Sequence, residues 1–370
     1  MVAVLLLEAA QGPNRLAVLI HHLAIDSVSW QILLPDLARL CESVAAEGEP
    51  HLDPVATSFA RWAQAARRDA VSIEREREMT HWEGVLSGSV SRLGVRELDP
   101  VRDVARAARS LRRALSPEDT RLLLEVPRTL HLDVQDVLLA ALWMAVAGET
   151  GEGGAPAVLV EVESYGRQSR EDLDLSRTVG WFTAAFPLRL DPGSVDWPDV
   201  RRGGPTVGKI LAHVQAQTRA VPDRGIGFGL LRYLNQVTAR RLASRPAPEI
   251  GFNYLGAVTS SPVGGWHLVK DIGLGGAEDP LMPMAHVLDF HAAILAGPDG
   301  RQLWTTWTWP NDVVTAQSVQ RVSDGWARAV DAVLRYASQL EPTRHTPSDL
   351  ELVTLTQEEI DALEEYAAQW

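Results

Sequence analysis

A helix over Asp133–Ala147 is apolar around nearly its whole circumference, so other elements must bury it on most sides. Shortly after it, Ala157–Val162 forms an apolar run broken only by Glu161. That is the pattern of a strand covered on both faces. A chain that must cover a whole helix and a whole strand needs layers of both kinds, which makes it mixed α/β. With 370 residues it exceeds one typical core, so two lobes are expected. The Gly151–Pro156 loop marks the boundary, dividing the chain into 1–150, 151–350 and a short polar exit helix within 351–370.

The remaining segments keep the alternation. Val2–Leu7 and Leu16–Ile20 flank a Gly-Pro-Asn turn, which predicts a hairpin. A helix follows Trp30, and helices around Phe59, Trp62 and Trp82 come next. Arg109–Leu115 is a strand, and Ser116-Pro117-Glu118-Asp119 opens a capped helix. Strands at Phe186–Leu190, Glu249–Tyr254, Val287–Leu295 and Leu303–Trp309 are interleaved with helices at Val207–Ala220, Leu230–Leu234 and Thr315–Leu340. No tandem repeat or low-complexity segment is present.

Composition excludes several classes. A net charge of −13 argues against a nucleic-acid surface, which needs a basic footprint. No run is apolar over the length needed to span a bilayer, and Met1–Ala10 lacks the basic start of a signal peptide. The single cysteine, Cys41, excludes an intrachain disulfide and a cysteine-rich zinc site, and is expected to be a buried or half-buried apolar residue. A reducing, cytoplasmic setting fits these features.

Five short stretches carry candidate chemistry. His21-His22 ends the second apolar run and precedes Asp26, Ser29 and Trp30. Histidine both takes and gives protons near neutrality, and on a strand adjacent residues face opposite sides, so one is expected to be catalytic and the other structural. A buried, hydrogen-bonded pair is the plainer alternative. Glu163 ends the apolar strand, where partial desolvation raises a carboxyl toward useful acid–base values, although such acids also simply meet solvent or cap turns. Arg177-Thr178-Val179-Gly180-Trp181-Phe182-Thr183 joins a cation, a glycine and two aromatics, which also suits plain core packing. Gly225–Gly229 is glycine-spaced but lacks a preceding strand and a phosphate-loop lysine, so it is weak as a nucleotide site. Asn253 and Tyr254 end a strand with groups able to donate to a developing oxyanion, or to make an ordinary turn. No metal site is expected: His286 and His291 fall on opposite faces of one strand, and no His-x-x-x-His pair occurs. No Gly-x-Ser-x-Gly elbow is present.

In this order the motifs resemble the condensation-domain superfamily of nonribosomal peptide synthetases, and within it most closely the epimerization domains. The family's His-His-x-x-x-Asp-Gly is met by His21–Asp26, with Ser27 for the glycine, and its Ser-Trp is met by Ser29-Trp30. Glu163-Ser164-Tyr165-Gly166-Arg167-Gln168 meets Glu-Gly-His-Gly-Arg-Glu in part. Thr178–Thr183 and Phe252–Gly256 match Thr-Val-Gly-Trp-Phe-Thr and Phe-Asn-Tyr-Leu-Gly letter for letter. Gly225–Tyr233 looks like the glycine-rich motif, and Thr346-Pro347-Ser348-Asp349 like the exit sequence.

The resemblance implies two chloramphenicol-acetyltransferase-like lobes in a V, the first truncated at its N-terminus. The reaction implied is L-to-D epimerization of a carrier-bound aminoacyl or peptidyl thioester, an isomerase step in antibiotic and other secondary-metabolite biosynthesis. It needs no cofactor of its own, since the substrate rides on the phosphopantetheine of a peptidyl carrier domain. The implied partners are that carrier, adenylation and condensation domains, and a chain supplying the missing N-terminal segment. Carried over by motif, His22 and Glu163 flank the α-carbon, while Asn253, Tyr254 and Tyr165 assist or position. His21, Asp26, Arg177, Ser29 and Trp181 are structural at the site, with Asp26 paired to Arg177. A degenerate carrier-docking domain is the alternative, and peptide-bond-forming condensation is less favoured. Ser27 predicts strain if its φ is positive, Tyr165 predicts a crowded site, and the absent segment predicts weak activity for the chain alone.

Overall fold

The computed structural model describes residues 1–149, 157–167, 173–258, 266–267, 269, 279–297 and 299–340. The Gly151–Pro156 loop, Gln168, the Thr346–Asp349 stretch and the 351–370 segment lie outside the described residues.

The chain opens with an antiparallel hairpin, β1 (Val2–Leu7) and β2 (Arg15–Ile20). Helix α1 (Ser27–Ala45) follows, then α2 (Phe59–Asp69), α3 (Ile73–Arg77) and α4 (Met79–Val85). Ser58 and Ser72 cap α2 and α3 by accepting backbone N–H bonds, which replace partners the first turn lacks. Next come β3 (Ala108–Ala114), α5 (Pro117–Leu130) and α6 (Val134–Glu149). As the cap residues predict, Ser116 accepts from the Asp119 N–H and Pro117 sits in the first turn of α5. The second half holds β4 (Val158–Ser164), β5 (Ala184–Leu190), α7 (Trp197–Arg202), α8 (Pro205–Arg219), α9 (Ile226–Gly229), a π turn over Leu230–Leu234 and α10 (Gln236–Ala243). It ends with β6 (Ile250–Val258), β7 (Leu288–Gly297), β8 (Gly300–Pro310) and α11 (Ala316–Ser338).

Among the described residues six strands form one mixed sheet in the order β3-β8-β7-β6-β4-β5. The pairs β4–β6 and β6–β7 are parallel, and the others antiparallel. A division at residue 150 would cut across this sheet, because β3, α5 and α6 precede that point and β4–β8 follow it.

Register makes the two faces chemically distinct. Phe186, Val162, Phe252, Phe290, Trp307 and Leu111 align across all six strands as an apolar row. Helices α5, α6, α8 and α11 pack on this side. Helix α6 is buried without a break from Asp136 to Ala147, as its all-round apolar sequence demands. Trp326 of α11 meets Phe290 at 5.7 Å between ring centroids, and Phe290 meets Trp307 at 4.6 Å in an edge-on contact.

Side chains alternate along each strand, so the next row faces the other way. There Glu161 of β4 aligns with Gly251 of β6, Asp289 of β7 and Thr308 of β8. One step on, Asn253 aligns with His291 and Thr306. Glu163 follows Glu161 on the same face. The strand expected to be covered on both faces is covered on both only at its start: Val158–Val160 are buried, Val162 stays buried on the helix side, and Glu163 opens to solvent on the other.

Candidate functional site

Two loops build the site above the polar face. The first leaves β2 at Ile20 and turns into a 3-10 helix, His22–Ala24. His21 is extended; its Nδ1 accepts from the Leu23 N–H at 3.2 Å and its carbonyl from the Ala24 N–H at 2.8 Å. The histidines are thus separated by a turn rather than by the two faces of a strand. The strand ends first because Leu23 and Ala24 take their hydrogen bonds locally. His21 fastens the turn, and His22 sets its ring 5.3 Å from that of Trp181, which is 39% exposed.

Asp26 then caps α1, its Oδ1 accepting from the Ser29 N–H at 2.7 Å. Ser27 is the first residue of α1 and has no positive φ, so the strain expected there does not arise.

The second loop, residues 178–182, is tied to the first by backbone and side chains together. The Asp26 N–H donates to the Gly180 carbonyl at 3.0 Å, and the Phe182 N–H donates to Asp26 Oδ2 at 3.2 Å. Ser29 Oγ donates to the Gly180 carbonyl at 2.9 Å and accepts from the Gly180 N–H at 3.0 Å and Arg167 Nη2 at 2.8 Å. One donor and two acceptors exhaust a hydroxyl, and this one is fully buried. A side chain on Gly180 would overlap Phe59 of α2, so glycine is the residue that fits.

Asp26 does not pair with Arg177. Its partner is Arg167, whose Nη2 reaches Oδ1 at 2.9 Å and Oδ2 at 3.1 Å while Nε reaches Oδ2 at 3.2 Å. Arg167 Nη1 also donates to the carbonyls of Leu175 and Thr178, and the guanidinium lies 4.2 Å from the Phe182 ring centroid. Arg177 instead binds Asp36 of α1 at 2.8 Å. Gly166 allows this arrangement: at φ 59° it turns the chain back from β4, and a Cβ there would strike the Phe182 carbonyl. Burial tends to raise the Asp26 carboxyl, but hydrogen bonds from Arg167 and Ser29 hold it below the usual aspartate range.

Glu163 stands at the mouth of the sheet, in line with the polar row. Asn253 Nδ2 donates to Glu163 Oε2 at 2.7 Å, so the Asn253 amide orients the carboxylate. Although Glu163 reaches solvent at the strand end, the protein packed around its carboxyl partly desolvates it and pushes it above the usual glutamate range; His291 opposes this, Glu161 adds to it, and His22 and His286 oppose it. Tyr254 faces the other way and packs against the core, and burial raises its phenol. Tyr254 is thus turned away from the Asn253–Glu163 pair. Tyr165 is 54% exposed, so it does not crowd the site.

Two contributors escape a reading of the residues alone. Arg167 lies inside a matched motif that assigns it no role, and His291 is considered there only as a metal ligand. The signal for His291 is strand alternation, which becomes usable only once β7 is known to lie beside β6. His286 precedes β7 instead of sitting on it, so the expected opposition of His286 and His291 across a strand does not hold. Among the described residues no group of three or more His, Cys, Asp or Glu is arranged to hold a metal ion.

Two of the three glycines at 225–229 serve packing. Gly225 has φ 89° and lies against Phe186, and Gly227 lies against Glu78 and Arg75. Arg75 is the centre of that contact, bound to Asp69, Glu78 and Asp223. Cys41 is exposed, against the expected burial.

A condensation-domain family model matches residues 1–356. The chain is 32% identical over 367 residues to a chondramide synthase of Chondromyces crocatus, covering 96% of this chain and 9% of that one. It is 27% identical over 381 residues to tyrocidine synthase 1 of Brevibacillus parabrevis, covering 100% of this chain and 33% of that one. The chain therefore spans a small part of the curated relatives it matches. Among solved structures it is similar to the epimerization domain from the third module of tyrocidine synthetase B, with TM-score 0.75 and 26% identity over 91% of this chain and 72% of that chain. The X-domain from teicoplanin biosynthesis shares the fold, with TM-score 0.62 and 20% identity over 95% of this chain and 75% of that chain.

Proposed function

The chain belongs to the condensation-domain family, and from that premise we propose that it epimerises a carrier-bound aminoacyl or peptidyl thioester from L to D. The observation that carries this reading is the Asn253–Glu163 pair: a carboxyl at the open end of the sheet, held by the Asn253 amide at 2.7 Å, with His291 in register beside Asn253 on the same face. The likeness to an epimerization domain supports it.

Inverting an α-carbon requires a proton to leave one face and a proton to return to the other. Between the two steps the electron pair of the broken C–H bond rests in the thioester enolate. Glu163 and His22 are the two acid–base groups, one taking the proton and its counterpart returning one. General acid–base catalysis contributes roughly 10²–10⁴-fold. Asn253 positions Glu163, and the Asp26–Arg167–Ser29 knot holds the His22 loop to the Trp181 loop.

The substrate arm is the phosphopantetheine of a peptidyl carrier domain, with adenylation and condensation domains of a synthetase as further partners. Both faces of β1 are exposed, which supports a covering polypeptide segment among those partners. Among the described residues no single helix is long and apolar enough to cross a membrane; a cytoplasmic setting belongs to the proposal.

The test is α-proton exchange in D₂O with a carrier protein loaded with an aminoacyl or dipeptidyl thioester. Deuterium uptake with racemisation, lost in Glu163→Gln and in His22→Ala, is expected. A folded chain that binds the loaded carrier without exchange above background would replace this reading with a non-catalytic docking domain. A product one residue longer would replace it with condensation.

A further inference from the structure

Two residues before Glu163 on the same face of β4, Glu161 meets an imidazole that reaches it across β6. His286 lies across β6, with Nε2 3.2 Å from Glu161 Oε1 and Nδ1 2.8 Å from Asp289 Oδ1. Its side chain is only 12% exposed. Both ring nitrogens face carboxylate oxygens, an arrangement that favours a proton on each and so the imidazolium form. The sheet has a slot for it. Glu161, Gly251 and Asp289 are in register on β4, β6 and β7, and a Cβ on Gly251 would overlap both the His286 ring and Asp289 Oδ1. The strand between the two carboxylates is therefore bare of a side chain where the imidazole crosses it. Burial alone would lower this histidine's pKa, but Asp289 and Glu161 push it up to about 9.

We infer that His286, seated in the Gly251 slot, is a positioning residue for Glu163, pairing Glu161 so that its negative charge does not act unopposed on the base two residues away. The inference rests on the reading of Glu163 as an acid–base group. The groups facing Glu163 are Glu161 on β4, His291 on β7, His22 from the loop after β2, and His286. Of these only Glu161 is an acid, so its pairing decides the balance. Without His286, Glu161 stands free, the carboxylate form of Glu163 is disfavoured, and its titration moves to higher pH.

The test is NMR titration of the full chain, labelled with ¹⁵N at histidine and ¹³C at glutamate carboxyls, with Glu163→Gln assigning the Glu163 signal. In the unsubstituted protein the His286 ring is expected to remain doubly protonated at pH 7 and above. In His286→Gln the Glu163 titration is expected to rise by about 0.5 pH unit, the scale of one unit charge roughly 7 Å away in a wet cleft. Gly251→Ala should do the same by displacing the ring. Adding Glu161→Gln to His286→Gln should bring the Glu163 titration back, a rescue that a merely structural histidine would not show. A neutral His286 ring at pH 7, or an unmoved Glu163 titration in folded His286→Gln, overturns the inference. These readouts need no turnover, so failure of the epimerase reading in the exchange assay remains a separate result. Where turnover is present, the acidic limb of its pH profile should move with the Glu163 titration.

Discussion

Arg167 Nη2 lies 2.9 Å from Asp26 Oδ1 across 141 positions of sequence, and both side chains are almost wholly buried. The pair closes the His22 loop onto the end of β4, so the two acid–base candidates hang from one ion pair. Breaking a buried pair leaves an uncompensated charge, at a cost of about 3–5 kcal/mol. Arg167→Leu is expected to lose that much in chemical denaturation, and Arg167→Lys most of it, since an ammonium does not reproduce the guanidinium's fork of bonds. Arg177→Ala removes partly exposed pairs with Asp36 and, at 3.9 Å, Asp53, and should cost about 1 kcal/mol or less. Equal losses at the two arginines would contradict the assignment.

The same pair sets a pH dependence. The Asp26 carboxyl has a lower pKa in the folded protein than in the unfolded chain, so the unfolded chain binds protons first as pH falls. The stabilisation is therefore complete above the ordinary aspartate value, about 3.9, and is lost as pH falls through the depressed folded value. Denaturation midpoints followed below pH 5 should show a loss in the unsubstituted protein that is reduced in Asp26→Asn.

Asn253 orients Glu163 and favours its charged form. Asn253→Leu removes that donor, so the Glu163 titration should move further up and the acidic limb of α-proton exchange with it. A rate profile that keeps its limb while falling uniformly would assign Asn253 a different role.

Ser29→Ala deletes one hydroxyl and strands the Gly180 N–H in a buried place, while the Gly180 carbonyl keeps the Asp26 N–H. Each buried group left unpaired costs roughly 1–3 kcal/mol. Hydrogen–deuterium exchange should report opening of 178–182 and of 22–30 together, because the two segments share these bonds.

The glycine run separates packing from ligand binding. Gly225→Ala meets the Phe186 ring at a positive φ and should impair folding, whereas nothing lies within 4 Å of a Cβ on Gly229. Gly229→Ala should be neutral or stabilising by about 0.5–1 kcal/mol, the ordinary helix preference. Calorimetry on both variants checks the contrast.

Much of the molecule follows from local pattern alone. The all-apolar circumference of 134–149 requires a central helix, Ser116 with Pro117 requires a helix start, and the Gly-Pro-Asn turn requires a hairpin; each depends on neighbours a few residues away. His22 and Glu163 stand out as candidates by residue type and position, whereas Asp26 and Ser29 enter through the resemblance of their motif. Which arginine answers Asp26 is not. Arg167 and Arg177 are equally charged and close in sequence, and only the reversal at Gly166, against the Phe182 carbonyl, brings the first into reach. The polar row has the same origin, since Asn253 beside His291 and Gly251 beneath His286 are consequences of strand register. Side-chain type and period are properties of the chain itself, whereas pairing across 141 residues depends on where packing sets each backbone, and that is decided in three dimensions.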